Sequence, residues 1–379
     1  MIRVLQFADV INRYDFIDNI VQRAAQEQFE IGVCVRTCAS NIEAPVYAED
    51  TPRWVLNGTS RREIPRAAYQ LASLLRRWKA DILHTHHYDQ AVIGWLATRI
   101  YPKTRLVVGR HYSDSIYRSS RGWKRKVLLA LEQAVNRAAA RIIVPSTYIR
   151  EILTRWQGID PAKVDLVPYG FVPEKYVPPH LDEVQRLRAG LGLEGRFALG
   201  NFARLHEEKG QQFLIRAMED LHADYPQLAL LIVGEGPERA ALEQQIRDAD
   251  LGDVIRLLGW RRDAITLMAA VDAVVQPTLQ EAFSQVMAEA LWMGKPLVIT
   301  DVSGASDIIL DAHNGLLIAK GDPRALTVAI ERLVCDDGLR EKLATNGKQY
   351  VAQNLRSENI IRQYEKSYER CFEGTGRHG

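Results

Sequence analysis

Short apolar runs, each followed by a longer amphipathic stretch, alternate along this chain, and the alternation plays through twice, once on each side of the proline-rich bridge VPEKYVPPH (172–180). The spacing predicts strands at 4–8, 31–36, 82–85, 106–109, 142–145 and 163–167, with helices such as 66–79 and 123–139 between them. A second set follows, with strands at 197–202, 228–233, 255–258, 273–276, 296–300 and 315–318 and helices at 211–222, 238–249, 264–270, 285–293 and 323–335. Strands and helices in this rhythm form parallel sheets with helices on both faces. A chain of 379 residues with 47% hydrophobic content fills two cores of ordinary domain size.

The stretch EAFSQVMAE places two carboxylates, Glu281 and Glu289, around the point where an apolar strand ending in Gln276 and Pro277 gives way to a helix near Ser284. The first turn of such a helix has N–H groups without intrahelical partners, and with the helix dipole they favour a phosphate. Carboxylates beside it suit a hydroxyl-rich ligand, because each accepts from several donors. Two glutamates on a solvated helix are the plain alternative. Upstream, RFALGNFARLHEEKG sets Arg204 and Lys209 on a loop between a strand and a helix. Arg offers a planar fork and Lys a mobile point charge, so the pair fits a diphosphate; a basic pair on a loop also arises as surface decoration.

These motifs, in this order, resemble the retaining glycosyltransferases of family 4, whose fold is GT-B: α/β, with two Rossmann-like, doubly wound parallel-sheet domains facing a cleft. The resemblance runs through DILHTHHYDQAVIGWLA (81–97), ARIIVPSTYIREIL (140–153), KVDLVPYGF (163–171), the loop 204–210, LLIVGEGPER (230–239), RLLGWRRDAITLMAAVDAVVQP (256–277) and 281–307. It implies an acceptor-binding domain over 1–172, a linker over 173–195, a nucleotide-sugar-binding domain over 196–355, and a final segment, 356–379, whose helix crosses back to the first domain. It further implies that Arg204 and Lys209 hold the donor diphosphate, that Glu281 meets the sugar hydroxyls and Glu289 the ribose, and that the backbone of Phe283, Ser284, Gln285 and Val286 meets phosphate and sugar. Gly234 joins the donor site, and Gly259 and Trp260 border the base. His86 takes the place of an active-site histidine touching donor sugar and acceptor, and completes a catalytic set with Glu281, Arg204 and Lys209. Arg13, His86 and His111 are the acceptor candidates.

The implied reaction is metal-independent, retaining transfer of a hexose-type sugar from a nucleoside diphosphate sugar to a hydroxyl of a saccharide or lipid-linked glycan, in cell-envelope or exopolysaccharide biosynthesis. The nucleotide sugar is a substrate, no cofactor is called for, and nucleic acid is not an expected partner. A nucleotide-sugar epimerase of the same fold and a non-catalytic nucleotide-sugar binder share the motifs. Three departures from the family pattern stand out. The loop after the first strand, DVINRYDFIDNI, has no glycine, which bears on acceptor recognition; Ser284 stands where glycine is common and Asp307 where glutamate is common, changes a phosphate site tolerates.

Other clusters are weighed on their chemistry. His84, His86 and His87 follow one strand, and no carboxylate stands at helical ligand spacing to complete a metal site. Asp248-Ala249-Asp250 closes an amphipathic helix, where acidic residues are merely solvated. GEGPER opens a helix as a dinucleotide fingerprint would, but Arg239 occupies the place of the third glycine. Four scattered cysteines fit a reducing cytoplasm. Residues 1–172 carry 25 Lys and Arg against 16 Asp and Glu, and the remainder 24 against 31, so the first half is basic and the second acidic. The densest basic patch, RSSRGWKRK, begins at Arg118 and ends at Lys126, with Trp123 among its cations. Such a patch rests on an anionic bilayer at the inner face of the membrane, or is a solvated helix start with one packing Trp.

Overall fold

The computed structural model describes residues 1–9, 15–36, 51–56, 60–112 and 122–373. They form two compact units, Met1–Gly170 with Ser357–Gly379, and Phe171–Arg356. In the first, β1 (Ile2–Ala8), β2 (Phe29–Val35), β3 (Arg53–Val55), β4 (Ile82–His86), β5 (Arg105–Gly109), β6 (Arg141–Val144) and β7 (Val164–Leu166) form one sheet in the order β3-β2-β1-β4-β5-β6-β7, every pair parallel. In the second, β8 (Phe197–Phe202), β9 (Leu228–Val233), β10 (Ile255–Gly259), β11 (Ala273–Gln276), β12 (Leu297–Thr300) and β13 (Leu316–Ile318) run in the order β10-β9-β8-β11-β12-β13, again all parallel. Each sheet therefore reverses its winding once, between β1 and β4 and between β8 and β11. Loops leaving the carboxyl ends of strands diverge there and leave room for a ligand.

The sequence explains the elements locally. All six positions of β9, LALLIV, are buried, as a strand covered on both faces requires. The helix Ile64–Trp78 has Pro65 in its first turn, buries Ala67, Ala68, Leu71, Ala72, Leu74 and Leu75 along one face, and stops at Lys79 in the left-handed conformation. In the second unit, Leu214, Ile215, Met218 and Leu221 from the helix Gln211–Leu221 meet Leu228, Leu230 and Ile232 of β9 in one core.

Three elements depart from the sequence reading. The edge strand β3 is only three residues long, too short to show a period. The stretch read as linker contains the helix Leu181–Gly190, fastened to the second unit by Arg188, which donates to the carbonyls of Ala270 (2.6 Å), Leu193 (3.1 Å) and Arg196 (2.8 Å). The helix Asp337–Tyr350 begins where Asp336 caps Leu339 N–H at 2.8 Å.

The last helix, Ser357–Arg370, belongs to the first unit and buries Ile360, Ile361, Tyr364 and Tyr368. Its end is tied to β7 through Asp165, which is 7% exposed and accepts from Arg141 Nε at 2.9 Å, Ser367 Oγ at 2.6 Å and Arg370 Nη1 at 2.9 Å. Removing a buried carboxylate that holds two guanidiniums leaves them unpaired, so Asp165→Ala is expected to destabilise the first unit by about 3 kcal/mol. Urea unfolding followed by far-ultraviolet circular dichroism measures the loss.

Candidate active site

In the second unit the loop after β8 is seated by close backbone approaches. A Cβ at Gly234 would lie 1.9 Å from the Ala203 carbonyl oxygen, and one at Gly236 2.1 Å from that of Leu205. The glycines of GEGPER thus let two loops touch, and Leu205 N–H donates to Glu235 O at 3.0 Å across that contact. Gly210, at φ +71°, does the same against Pro277, whose carbonyl oxygen is 2.0 Å from where a Cβ would be. Leu279 N–H donates to Glu208 O at 2.8 Å, and the two loops run locked together.

That seating puts Lys209 beside Glu281, with Nζ 3.0 Å from Oε1 and side chains 15% and 24% exposed. Burial pushes the Glu281 carboxyl up, and Lys209 and Arg204 pull it back down. Arg204 is exposed on the same loop. Ser284 caps the helix Gln285–Trp292, accepting from Met287 N–H at 3.2 Å, so serine serves at this position as a cap. Phe283 and Ser284 are buried, and Gln285 is half-buried at the first position of the helix.

A cavity of about 460 Å³ opens at the helix start, and Arg204, Gly234, Trp260, Val286 and Glu289 all line it. Gly259, at φ +71°, turns the chain into Trp260. Of the residues expected to bind a donor, these form one wall, while Lys209 and Glu281 stand apart as an ion pair. Tyr176, Glu235, Arg261, Ile265 and Met268 also line the cavity and escaped the sequence reading. Tyr176 sits in the proline-rich bridge, and its hydroxyl donates to Glu289 Oε1 at 3.0 Å. Arg261 is fixed by Asp263 through Nε at 2.7 Å and Nη2 at 2.6 Å; Trp260 beside it, 66% exposed, was the only sequence signal for that wall.

The histidines lie in the first unit. His86 ends β4 and is fully buried. Its Nε2 meets Gln6 Oε1 at 2.9 Å and its Nδ1 meets His111 Nε2 at 2.9 Å. His86, expected to touch donor and acceptor, has both ring nitrogens engaged here, and the residue it meets, His111, is the half-buried one, just beyond β5. His111 Nδ1 meets the Tyr169 hydroxyl at 2.8 Å, and Phe16 stacks on the Tyr169 ring and lies tilted against that of His111. Arg13 lies outside the described residues. Among the described residues no group of three or more His, Cys, Asp or Glu is placed to hold a metal ion. Asp248 and Asp250 are exposed at a helix end.

Residues 16–175 match the family model described as Glycosyltransferase Family 4, and residues 184–350 the model described as Glycosyl transferases group 1. The chain is 25% identical over 349 residues, 90% of its own length and 88% of the other's, to a UDP-Gal:alpha-D-GlcNAc-diphosphoundecaprenol alpha-1,3-galactosyltransferase of Escherichia coli. Among solved structures it is similar to HepE of Anabaena in complex with UDP, with a TM-score of 0.81 at 22% identity over 97% of this chain and 100% of that one. Sucrose-phosphate synthase from Thermosynechococcus elongatus gives 0.78 at 21% identity over 98% and 99%. The chain is a glycosyltransferase of the GT-B type.

Three buried histidines of this glycosyltransferase are disfavoured as cations in the fold. Burial holds His84 down at about 3, and burial together with the neighbouring imidazoles holds His86 and His111 well below 6.5. The unfolded chain takes up protons as pH falls below the ordinary histidine value, whereas the folded chain does not. Stability is thus full above about pH 6.5 and drops below it, by up to about 1.4 kcal/mol per pH unit for each histidine, until the folded value is reached. Thermal melts between pH 8 and pH 5 are expected to show a plateau and then a fall on the acid side.

Proposed function

We propose that this glycosyltransferase moves a hexose-type sugar from a UDP-sugar to a hydroxyl of a saccharide or lipid-linked glycan, with retention at the anomeric carbon and without a metal ion, in building a cell-envelope or exported polysaccharide. One observation carries the reading: the β8 loop, the Lys209–Glu281 pair and the capped start of helix Gln285–Trp292 lie at the carboxyl end of β8 and β11, beside a cavity of about 460 Å³ lined by Trp260 and Glu289. The E. coli relative is named for a UDP-sugar and a diphosphoundecaprenol acceptor, and HepE was solved with UDP, which favours uridine as the base.

In this reading the nucleoside lies along Trp260 with its ribose toward Glu289, and the diphosphate reaches the helix start. As the bond from the anomeric carbon to the diphosphate oxygen breaks, the electron pair goes to the diphosphate, and Arg204, Lys209 and the helix N–H groups meet the growing charge. The donor's hydroxyls bond to Glu281, which the diphosphate frees from part of its hold on Lys209. The acceptor hydroxyl then bonds to the anomeric carbon on the face the diphosphate left, and its proton passes to the departing diphosphate. His111 serves the acceptor side, in place of His86.

Release of UDP from UDP-sugars, measured with and without lipid-linked acceptors, tests the reaction; release that never depends on an acceptor would overturn it. Arg204→Ala and Lys209→Ala are each expected to lower kcat/KM by about a hundredfold or more with circular dichroism unchanged. Turnover near the wild-type rate in either variant removes the clamp assignment.

The acceptor's chemistry also fits the basic patch. Arg118 to Arg121 lie outside the described residues, but the helix Gly122–Ala138 starts with exposed Lys124, Arg125 and Lys126 around Trp123, 71% exposed, and Val127, 54% exposed. Cations around an exposed indole and an apolar residue match an anionic bilayer surface. No helix among the described residues is long and apolar enough to cross a membrane, so surface association is the form proposed. Flotation with phosphatidylglycerol vesicles is expected to carry the protein upward, and Trp123→Ala with high salt to abolish it; no flotation of the wild type overturns the association.

A further inference from the structure

The histidine cluster extends beyond the two residues already described, into a chain of six polar side chains. From His111 it runs through His86 to Gln6 on β1, whose Nε2 donates to the Tyr368 hydroxyl at 3.0 Å; that hydroxyl lies 2.9 Å from His84 Nδ1. At the other end Tyr169 meets His111. Gln6, His84, His86 and Tyr368 are fully buried. Sheet register builds the chain: Gln6 lies opposite His84, and His86 opposite Gly109. At Gly109 a Cβ would stand 2.6 Å from His111 Nε2 and 3.0 Å from both His84 Nε2 and His86 Nδ1, so only glycine leaves the imidazoles room to meet.

Every member except one is ambivalent. Hydroxyls and neutral imidazoles both give and accept, and each imidazole has two tautomers. The Gln6 amide alone has a fixed donor atom and a fixed acceptor atom, so its orientation sets the direction of every other bond. With Oε1 toward His86, His86 must carry its proton on Nε2 and leave Nδ1 bare. His111 must then donate from Nε2 and leave Nδ1 to accept from the Tyr169 hydroxyl. On the far side Tyr368 accepts from Gln6 and donates to His84 Nδ1. This puts the His84 proton on Nε2, an atom with no hydrogen-bond partner among the described residues.

We propose that Gln6 is a positioning residue for transfer: through His86 it fixes the tautomer and the ring orientation of His111, the member at the mouth of the first unit. Tyr368, delivered from the far end of the sequence, holds the Gln6 amide in the orientation that does this. The proposal rests on the functional reading above in placing His111 at the acceptor, but the tautomers themselves are fixed whether or not transfer occurs.

The test has a spectroscopic and a kinetic arm. Long-range proton–nitrogen correlation on the full chain with 15N-labelled histidine, near pH 8, is expected to show His86 and His111 each protonated on Nε2. In Gln6→Met both are expected to lose their single tautomer, and kcat to fall about tenfold with the donor KM unchanged, as loss of one positioning hydrogen bond would give. Gln6→Glu accepts from His86 Nε2 as the amide did and is expected to keep that tautomer and restore most of kcat. Tyr368→Phe, which keeps the ring against Phe29 but removes the hydroxyl, breaks the same chain and serves if a Gln6 variant does not fold. Protonation of His86 on Nδ1 in the wild type, or wild-type kcat in a folded variant with scrambled tautomers, overturns the proposal. A wild-type protein that transfers nothing overturns the functional reading instead, and with it the kinetic role of Gln6, while the spectra still decide the direction of the chain.

Discussion

Hydrogen bonding between parallel neighbours satisfies the backbone along both sheets, and burial on both faces leaves few places where a polar group can meet solvent. The carboxyl ends of the strands at the winding reversals are those places. In each unit the unusual side chains are found there: Gln6, His84 and His86 where β1 meets β4, and the Arg204 and Glu281 loops where β8 meets β11. The candidate site residues follow from this restriction; away from the reversals the strands are mostly apolar, the buried Asp165 cluster on β6 and β7 being an exception.

At its two reversals the protein uses opposite electrostatic strategies. The second unit gathers charge: two cations, a carboxylate and a helix start stand close together, and the Lys209–Glu281 pair keeps them balanced before a ligand arrives. Burial disfavours the charged forms of His84, His86 and His111, so hydrogen-bond direction, not charge, carries information there.

Much of this was legible in the sequence, and the failures have physical causes. The runs FALGNF, LALLIV and AVVQ became strands at the expected residues because a strand buried on both faces must be written almost wholly in apolar letters. RWV could not be read, since three residues at an edge have no period. The helix at Leu181–Gly190 hid in a proline-rich neighbourhood because none of its residues is buried and it docks through polar side chains, Arg188 above all. Among the candidate site residues, Arg204, Lys209, Glu281 and Glu289 were visible as charges on loops and helix starts that follow apolar strands. The burial of His86 was not legible, because the sequence of β4 does not tell which end is a dry interior and which a rim. Tyr176 and Tyr368 were out of reach: each matters through a partner more than a hundred residues away, Glu289 for the first and Gln6 for the second.

The helix Ser357–Arg370 follows the whole second unit in the chain, yet it belongs to the first, where it supplies the hydroxyl that closes the Gln6–His84 pair and the two side chains that complete the ring around Asp165. The second unit is one continuous stretch of chain, whereas the first is interrupted by it, so the amino-terminal sheet lacks these partners until residues on the far side of the second unit have been made.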